Sequence, residues 1–325
     1  MMLSWGIIGP GRIAHQFARS VNSLDSQRIH AVASRSLQRA RDFAEQYCAQ
    51  ETYDCYDDLA ACKDIDAVYV ATTNPYHYDA VMTCLEAGKA VLCEKPLSLN
   101  ADFVRRMINK AAEKKVFFME AMWTRFLPAV VQANLWLNDG MIGEPRMLRA
   151  DFTRTLDSDP KDRWFNIDQG GGALLDLGIY PVAFSSMIFG PEYSELHSTG
   201  YLGGTGVDEQ TAIIMKYRQG QIAQLSCSIA VQGPCKACIT GTDGYIELDN
   251  FWMADNAKLI RNDGTVYSCS FDYNGTGYKY EAMEVQRCLE EGRLQSEIMP
   301  WNESVKLMEI LDRVKANMGL KYPQE

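Results

Sequence analysis

The sequence predicts an α/β chain. Its N-terminal part is a doubly wound parallel sheet, and the remainder is an α+β domain with a large, mostly antiparallel open sheet. Three observations predict this. Short apolar runs alternate with helical patterns from residue 4 to about 121. A glycine-rich turn, GPGRIA at 9–14, follows the first of these runs and opens the first helix. From about residue 195, apolar and polar residues alternate at period two.

The elements follow in order. SWGIIG (4–9) has the pattern of a buried strand, and glycines and a helical stretch run on to about Asn22. HAVAS (30–34) is the second strand and 36–47 the second helix. Strand 66–71 (DAVYVA), helix 76–87, strand 90–94 (AVLCE), helix 101–115 after Asn100 and strand 116–119 complete the set. Strands separated by single helices at this spacing are βαβ units, which build a Rossmann-type dinucleotide-binding domain. That domain is expected over 1–121, and a substrate-binding and oligomerisation domain over 122–325. Pro128 suits the first turn of helix 127–138. Ala223, Leu225, Cys227, Ile229 and Val231 fall on one face of a strand, with Gln224, Ser226 and Ser228 between them. Turn signals occur at RQGQ (218–221) and TDGY (242–245), and helices near 278–291 and 303–318 close the chain.

Composition limits the functions available. The 325 residues suffice for two cores, and 47% hydrophobic with 23% charged residues is ordinary for a globular chain. A formal net charge of -10 offers no broad basic surface, so no nucleic-acid partner is expected. No apolar run approaches the roughly 20 residues that span a bilayer, so no membrane partner is expected either. MMLSWGIIGPGR enters a strand pattern without a basic n-region, which does not read as a signal peptide. The ten cysteines (48, 55, 62, 84, 93, 227, 235, 238, 269, 288) read as free thiols of a reducing cytoplasm, and cytoplasmic location is the expectation. Cys235 and Cys238 form a CxxC in a strand-like stretch, where residues three apart point to opposite faces. With no second pair, and with His15, His30, His77 and His197 scattered, no metal is expected.

The chemistry-bearing residues cluster in four stretches. In GPGRIA, Gly9 permits a tight turn and Gly11 lets the backbone approach a pyrophosphate. Arg12 and Ile13 begin the helix whose amides would face the phosphates, and Ala14 keeps that helix close to the sheet. At the tip of the second strand stands Ser34-Arg35-Ser36, with no acid to hold ribose hydroxyls. Arg35, a serine hydroxyl and Arg39 suit a 2′-phosphate instead. Two charge-assisted bonds of roughly 1.5–3 kcal/mol each would favour NADP(H) about a hundredfold or more, with NAD(H) still possible. ATTNPYH (71–77), with Thr72, Asn74 and His77, ends a strand where open parallel sheets bind ligands. CEKPLSLN (93–100) ends the next one with Glu94 and Lys95, close to where a nicotinamide ring would lie. In GGGALLDLGIYPV (170–182) the glycines would let backbone pass close to cofactor or substrate. The helix after them presents Asp176 and Tyr180 at i and i+4, with Pro181 bending it.

Together GPGRIA, ATTNPYH, EKPLSLN, EAMWTRFLP and GGGALLDLGIYPV resemble the Gfo/Idh/MocA oxidoreductases over nearly the whole chain. The dihydrodiol dehydrogenase and NADP-linked sugar dehydrogenase branches are the most alike. The resemblance implies that the EKP lysine, Lys95, is catalytic. It carries the roles of the family's Asp and of the His or Tyr four residues on to Asp176 and Tyr180. A tyrosine there points away from the inositol dehydrogenase branch. Trp123, Arg125 and Phe152 resemble the substrate wall of the dihydrodiol branch. The implied activity is NADP(H)-dependent hydride transfer between nicotinamide and a hydroxyl or carbonyl of a sugar, vicinal diol or small dicarbonyl. A homodimer through the second domain's sheet is also implied. Either Lys95 or Tyr180 carries the proton, while the other orients or polarises. The alternatives are a non-catalytic NAD(P)-binding regulator of the same fold, against which the retained Lys95 and Tyr180 speak, and a transferase or hydrolase using NAD transiently.

Overall fold

The computed structural model describes residues 2–156, 159, 162–273 and 276–325. It comprises two compact units, Met1–Trp123 with Asn274–Val305, and Thr124–Tyr273 with Lys306–Glu325.

The first unit is built on six parallel strands, β1 (Leu3–Ile8), β2 (Gln27–Ala33), β3 (Glu51–Tyr53), β4 (Ala67–Val70), β5 (Ala90–Glu94) and β6 (Phe118–Ala121). Their order is β3-β2-β1-β4-β5-β6. Every residue of β1, β4 and β5 is buried, as parallel strands covered on both faces must be. The helices α1 (Arg12–Val21), α2 (Leu37–Tyr47), α3 (Tyr56–Ala61), α4 (His77–Glu86) and α5 (Ala101–Lys114) connect them. Serine and asparagine caps start two of these: Ser36 accepts from the Arg39 amide, and Asn100 from that of Phe103. Aromatic rings fill the interior, with Phe17 stacked on Tyr69 at 3.8 Å and edge-on to Trp5 at 5.0 Å. β1 lies between β2 and β4, so the chain leaves it in opposite directions. The crevice at the C-terminal ends of these strands is where such sheets bind ligands.

β3 and α3 are additions to the sequence reading, since a three-residue strand shows no period. Helix α8 (Tyr278–Glu290), expected in the second domain, packs against α1 in the first unit. Gln27 at the foot of β2 donates from Nε2 to the Ala282 carbonyl at 3.1 Å.

The second unit holds α6 (Pro128–Asn138), β7 (Pro145–Thr153), α7 (Ile179–Phe189) and the strands β8 (Tyr193–Leu202), β9 (Asp208–Tyr217), β10 (Ile222–Ser228), β11 (Ala237–Gly241), β12 (Gly244–Leu248), β13 (Asn256–Arg261) and β14 (Val266–Ser270). The last helix, α9 (Trp301–Met318), contains the final division between the units. The eight strands run β14-β13-β12-β11-β7-β10-β9-β8, antiparallel except where β7 pairs with β10. One face is apolar: Ile213, Met215, Ala223, Leu225 and Cys227 are buried against α7 and its neighbours. The alternation stops at Ser228, where β10 ends, so Val231 is 50% exposed rather than on the buried face. Cys235 also leaves the strand pattern. It precedes β11 at a φ of 55°, its amide bonded to Asp151 Oδ2 at 2.9 Å. All ten cysteines are free.

One helical run, Ile167–Phe189, is long and apolar enough by length and composition to cross a membrane, which the sequence reading did not anticipate. Its apolar surface is already covered, with 83% of the window buried inside the protein, so it reads as a core helix.

Candidate active site

In the first unit the glycine turn falls between the end of β1 and the start of α1. Gly9 has a φ of 83°, and a Cβ there would lie 2.9 Å from the Ala71 carbonyl oxygen and the Thr72 nitrogen. Only glycine fits. Gly11 has no such constraint, since the nearest protein atom to a Cβ would be 3.9 Å away. It leaves open space before α1, whose first turn has neither an acidic residue nor a capping side chain. The amides of Arg12 and Ile13 therefore point where a pyrophosphate would be held.

Beside this turn lies a groove of about 360 Å³, lined by Pro10, Gly11, Arg12, His15, Arg39 and Asp42 among others. Burial, and then the charges of Arg19 and Arg39, hold the His15 imidazole below its ordinary pKa. Arg39 Nη2 donates to the Pro10 carbonyl at 3.3 Å. Arg35 is exposed and lies over the Tyr76 ring, 5.1 Å from its centre. Ser34 is buried, and its hydroxyl accepts from the Ser36 amide at 3.3 Å.

The next two strand ends carry the other predicted residues. The Thr72 hydroxyl is buried without a hydrogen-bond partner among the described residues. Asn74 is 3% exposed. His77 sits with Nδ1 2.9 Å from the Pro96 carbonyl oxygen and Nε2 3.0 Å from that of Thr72. Both ring nitrogens are engaged, so this side chain braces the loops after β4 and β5. Glu94 ends β5 and accepts a hydrogen bond from the buried Tyr69 hydroxyl. Lys95 follows, its bond to Pro96 cis. Behind Glu94 is a residue the sequence reading missed. Glu281 of α8 is fully buried, and its carboxyl pKa is pushed well above the ordinary range by burial and then by Glu94.

In the second unit the glycine run has an internal cause. A Cβ on Gly171 would press on the Trp164 carbonyl oxygen at 2.7 Å, and Gly172 has a φ of 116°. Tight packing within the unit by itself requires glycine at these positions. After them Leu174–Gly178 forms a π-helical turn, with the Ile179 amide reaching back to Leu174. This wide turn lies immediately ahead of Pro181, whose ring crowds a regular helix at the preceding turn. Asp176 is 2% exposed and is held by Arg163, with Nη1 3.2 Å from Oδ2 and Nη2 3.3 Å from Oδ1. The Arg163 guanidinium in turn covers the Trp164 ring at 4.1 Å. Tyr180 is 6% exposed and edge-on to Phe152 at 5.4 Å and Trp252 at 6.2 Å. Those two rings stack on each other at 4.6 Å. Arg125 donates from Nη2 to the Ala183 carbonyl at 3.1 Å, one turn beyond Tyr180. Asp208 accepts from the Leu174 amide at 2.8 Å and the Thr211 hydroxyl at 2.7 Å. Burial pushes its carboxyl pKa up to about 7.

The second unit thus gathers Asp176, Tyr180, Phe152 and Arg125. Trp123 does not join them in that unit: it stacks on Tyr278 at 4.6 Å within the first unit. The sequence reading missed Arg163, Trp252 and Asp208. A weak signal existed for two of them, in the Arg-Trp pair ahead of the glycines and the Phe-Trp pair after an alternating strand.

Known proteins show the same two-part pattern. Residues 3–122 match the oxidoreductase family model with an NAD-binding Rossmann fold, and residues 130–247 match the Gfo/Idh/MocA C-terminal domain model. Over 333 residues the chain is 38% identical to trans-1,2-dihydrobenzene-1,2-diol dehydrogenase of Mus musculus, covering 100% of this chain and 99% of that protein. A solved 3-ketoreductase from Actinomadura kijaniata, in complex with NADP and TDP-benzene, has a TM-score of 0.87 at 24% identity over 98% of both chains. Aldose-aldose oxidoreductase from Caulobacter crescentus, complexed with glycerol, has a TM-score of 0.89 at 21% identity, covering 98% of this chain and 97% of the other. The two structural likenesses speak for the fold, and the full-length identity speaks for descent. The chain belongs to the Gfo/Idh/MocA family of NAD(P)-dependent oxidoreductases.

Proposed function

We propose that this protein uses NADP(H) to interconvert a secondary hydroxyl and a carbonyl on a ring-borne vicinal diol, or on a sugar or small dicarbonyl of similar shape. The observation that carries the proposal is Tyr180, a nearly buried phenol set against the Phe152–Trp252 stack and four residues after an acid clamped by arginine. An apolar stack of this kind suits one face of a ring better than an open polyol chain. A relative named for a dihydrobenzene diol supports the same substrate class.

The cofactor, when bound, supplies or accepts the hydride through its nicotinamide. The open approach at Gly11 and the uncapped first turn of α1 fit its pyrophosphate. Arg35, a serine hydroxyl of Ser34-Arg35-Ser36 and Arg39 would hold the 2′-phosphate, and the missing acid there supports preference over NAD. Tyr180 exchanges the proton of the reacting hydroxyl through its phenol oxygen. A free phenol has a pKa near 10, too high for an efficient base near neutrality, and the Lys95 ammonium is assigned the task of favouring phenolate. Asp176, ion-paired with Arg163, is assigned the task of positioning the helix turn that carries Tyr180.

The test is a panel of cyclic dihydrodiols, sugars and dicarbonyls, followed by absorbance of the reduced cofactor with NADP and NAD in parallel. The expected result is turnover of a cyclic diol or its carbonyl partner with higher kcat/KM for NADP. Cofactor binding without turnover across the panel would instead support the regulator.

A further inference from the structure

The fold brings together four donors that lie far apart in sequence and outside the residues assigned to catalysis. His30 is on β2, Glu51 opens β3, Cys62 caps the C-terminal end of α3 and Asp64 is two residues further on. One ligand atom from each lies within 4.8 Å of every other. His30 is 3% exposed, and among the described residues neither ring nitrogen has a hydrogen-bond partner. A buried imidazole with both nitrogens unsatisfied is costly and needs a cause. Its Nε2 faces Glu51 Oε1 at 3.9 Å, too long for a hydrogen bond. A tetrahedral ion with bonds of about 2.0–2.3 Å holds its donors about 3.3–3.8 Å apart, so binding draws the His30–Glu51 edge in by about half an ångström and the wider pairs by up to about an ångström.

The surroundings favour a built site. The Tyr53 hydroxyl donates to Glu51 Oε2, which leaves Oε1 turned towards His30, an arrangement that orients a ligating carboxylate. Lys89 Nζ donates to the carbonyls of Cys62 at 2.6 Å and Ile65 at 3.0 Å, fixing the loop that carries Cys62 and Asp64. The Gln50 amide bonds the His30 carbonyl at 2.8 Å, which fixes the approach to β3. Imidazole, thiolate and carboxylate donors together select a borderline transition ion such as zinc over magnesium or calcium, which take oxygen ligands.

We propose that His30, Glu51, Cys62 and Asp64 bind one zinc-class divalent cation. On binding, a metal–sulfur bond forms and the Cys62 thiol releases its proton to solvent. The ion ties the short edge strand β3 to β2 and to the loop after α3. The Tyr53 carbonyl accepts from the Ser34 amide at 3.1 Å, so this tie also supports the strand tip that carries Ser34 and Arg35. Its role is structural, and the chemistry proposed above proceeds without it.

Cobalt(II) is the probe. Chelator-treated, reduced full-length protein is titrated with cobalt(II) and then zinc(II), with absorbance and thermal melting as readouts. One equivalent per chain is expected, with a near-ultraviolet thiolate-to-metal band that zinc abolishes and a rise in Tm of about 5 °C at a hundredfold excess of zinc over Kd. Cys62→Ser should lose the band, and the exposed Asp64→Asn should weaken binding at least about tenfold with no change in metal-free Tm. Binding of less than half an equivalent would overturn the proposal, as would a thiolate band that survives Cys62→Ser. Activity lost on chelation but retained by metal-free Cys62→Ser would place the ion elsewhere and overturn it too.

Discussion

Tyr180 is the residue on which the functional reading turns. Tyr180→Phe keeps the ring against Phe152 and Trp252 and removes only the ionisable hydroxyl. The expected loss is about 10²–10⁴ in kcat with cofactor affinity almost unchanged, as measured by single-turnover kinetics and calorimetry. If Lys95 has the role proposed for it, Lys95→Met should lose a similar factor and move the remaining pH optimum upward. The double variant should cost less than the product of the two, since both act on one proton transfer. Retention of more than about a third of kcat by Tyr180→Phe would make it a packing residue. Asp208 gives an independent prediction. Its folded pKa of about 7 lies above the ordinary carboxylate value, so between about pH 4 and 7 the folded state holds the extra proton. Its contribution to stability is complete below that window and is lost as pH rises through 7. Denaturant unfolding should therefore show wild type losing ground to Asp208→Asn as pH rises from 4 to 7. A stability difference that stays constant would remove Asp208 from the account.

At the scale of the element, Gly9 and Gly11 separate two kinds of constraint. Gly9→Ala combines a φ of 83° with a Cβ 2.9 Å from fixed backbone, so it should lower the stability of the cofactor-free protein by about 1–3 kcal/mol. Gly11→Ala meets open space and should melt within about 1 °C of wild type, yet weaken NADP binding at least about tenfold, because its Cβ fills the approach to the pyrophosphate. Thermal melts without cofactor and titration calorimetry with it distinguish the two. Equal destabilisation of both variants would mean that Gly11 serves the turn and not the ligand. The βα elements themselves follow from local pattern, but the π-helical turn at Leu174–Gly178 does not. Its sequence reads as a regular helix carrying Asp176 and Tyr180, whereas in the fold the residues of the widened turn ahead of Pro181 are held from afar, Leu174 by Asp208 and Asp176 by Arg163.

For the whole molecule, the face of the eight-stranded sheet opposite α7 bears on assembly. Met147 and Ile222 pair across β7 and β10, and with Ile214 they are 37%, 37% and 52% exposed. Lys216 and Arg149 interrupt this apolar surface. We propose that a second copy covers it in a homodimer, since an open sheet with one apolar-patched face is stabilised by such cover. Light scattering from a dilute solution should give twice 36.6 kDa, and Ile222→Lys should shift the protein toward 36.6 kDa with its fold retained by circular dichroism. Wild type at 36.6 kDa would rule this assembly out.

The sequence by itself determined the parallel, doubly wound character of the first sheet, the glycine turn, the lysine at the end of β5 and the spacing of Asp176 and Tyr180. These depend on period, on steric demands of a few neighbouring residues and on position within a βα unit, all of which are local. Only the tertiary structure decided which groups meet. Arg163 reaches Asp176 across 13 positions, and Phe152 stacks on Trp252 across 100. Helix α8 returns to pack against α1, and its Ala282 carbonyl accepts from Gln27 of β2, 255 residues away. His30, Glu51, Cys62 and Asp64 converge from two strands and a loop. Such pairings are chosen by burial and by satisfying buried polar groups through space, and no local repeat in the chain encodes them.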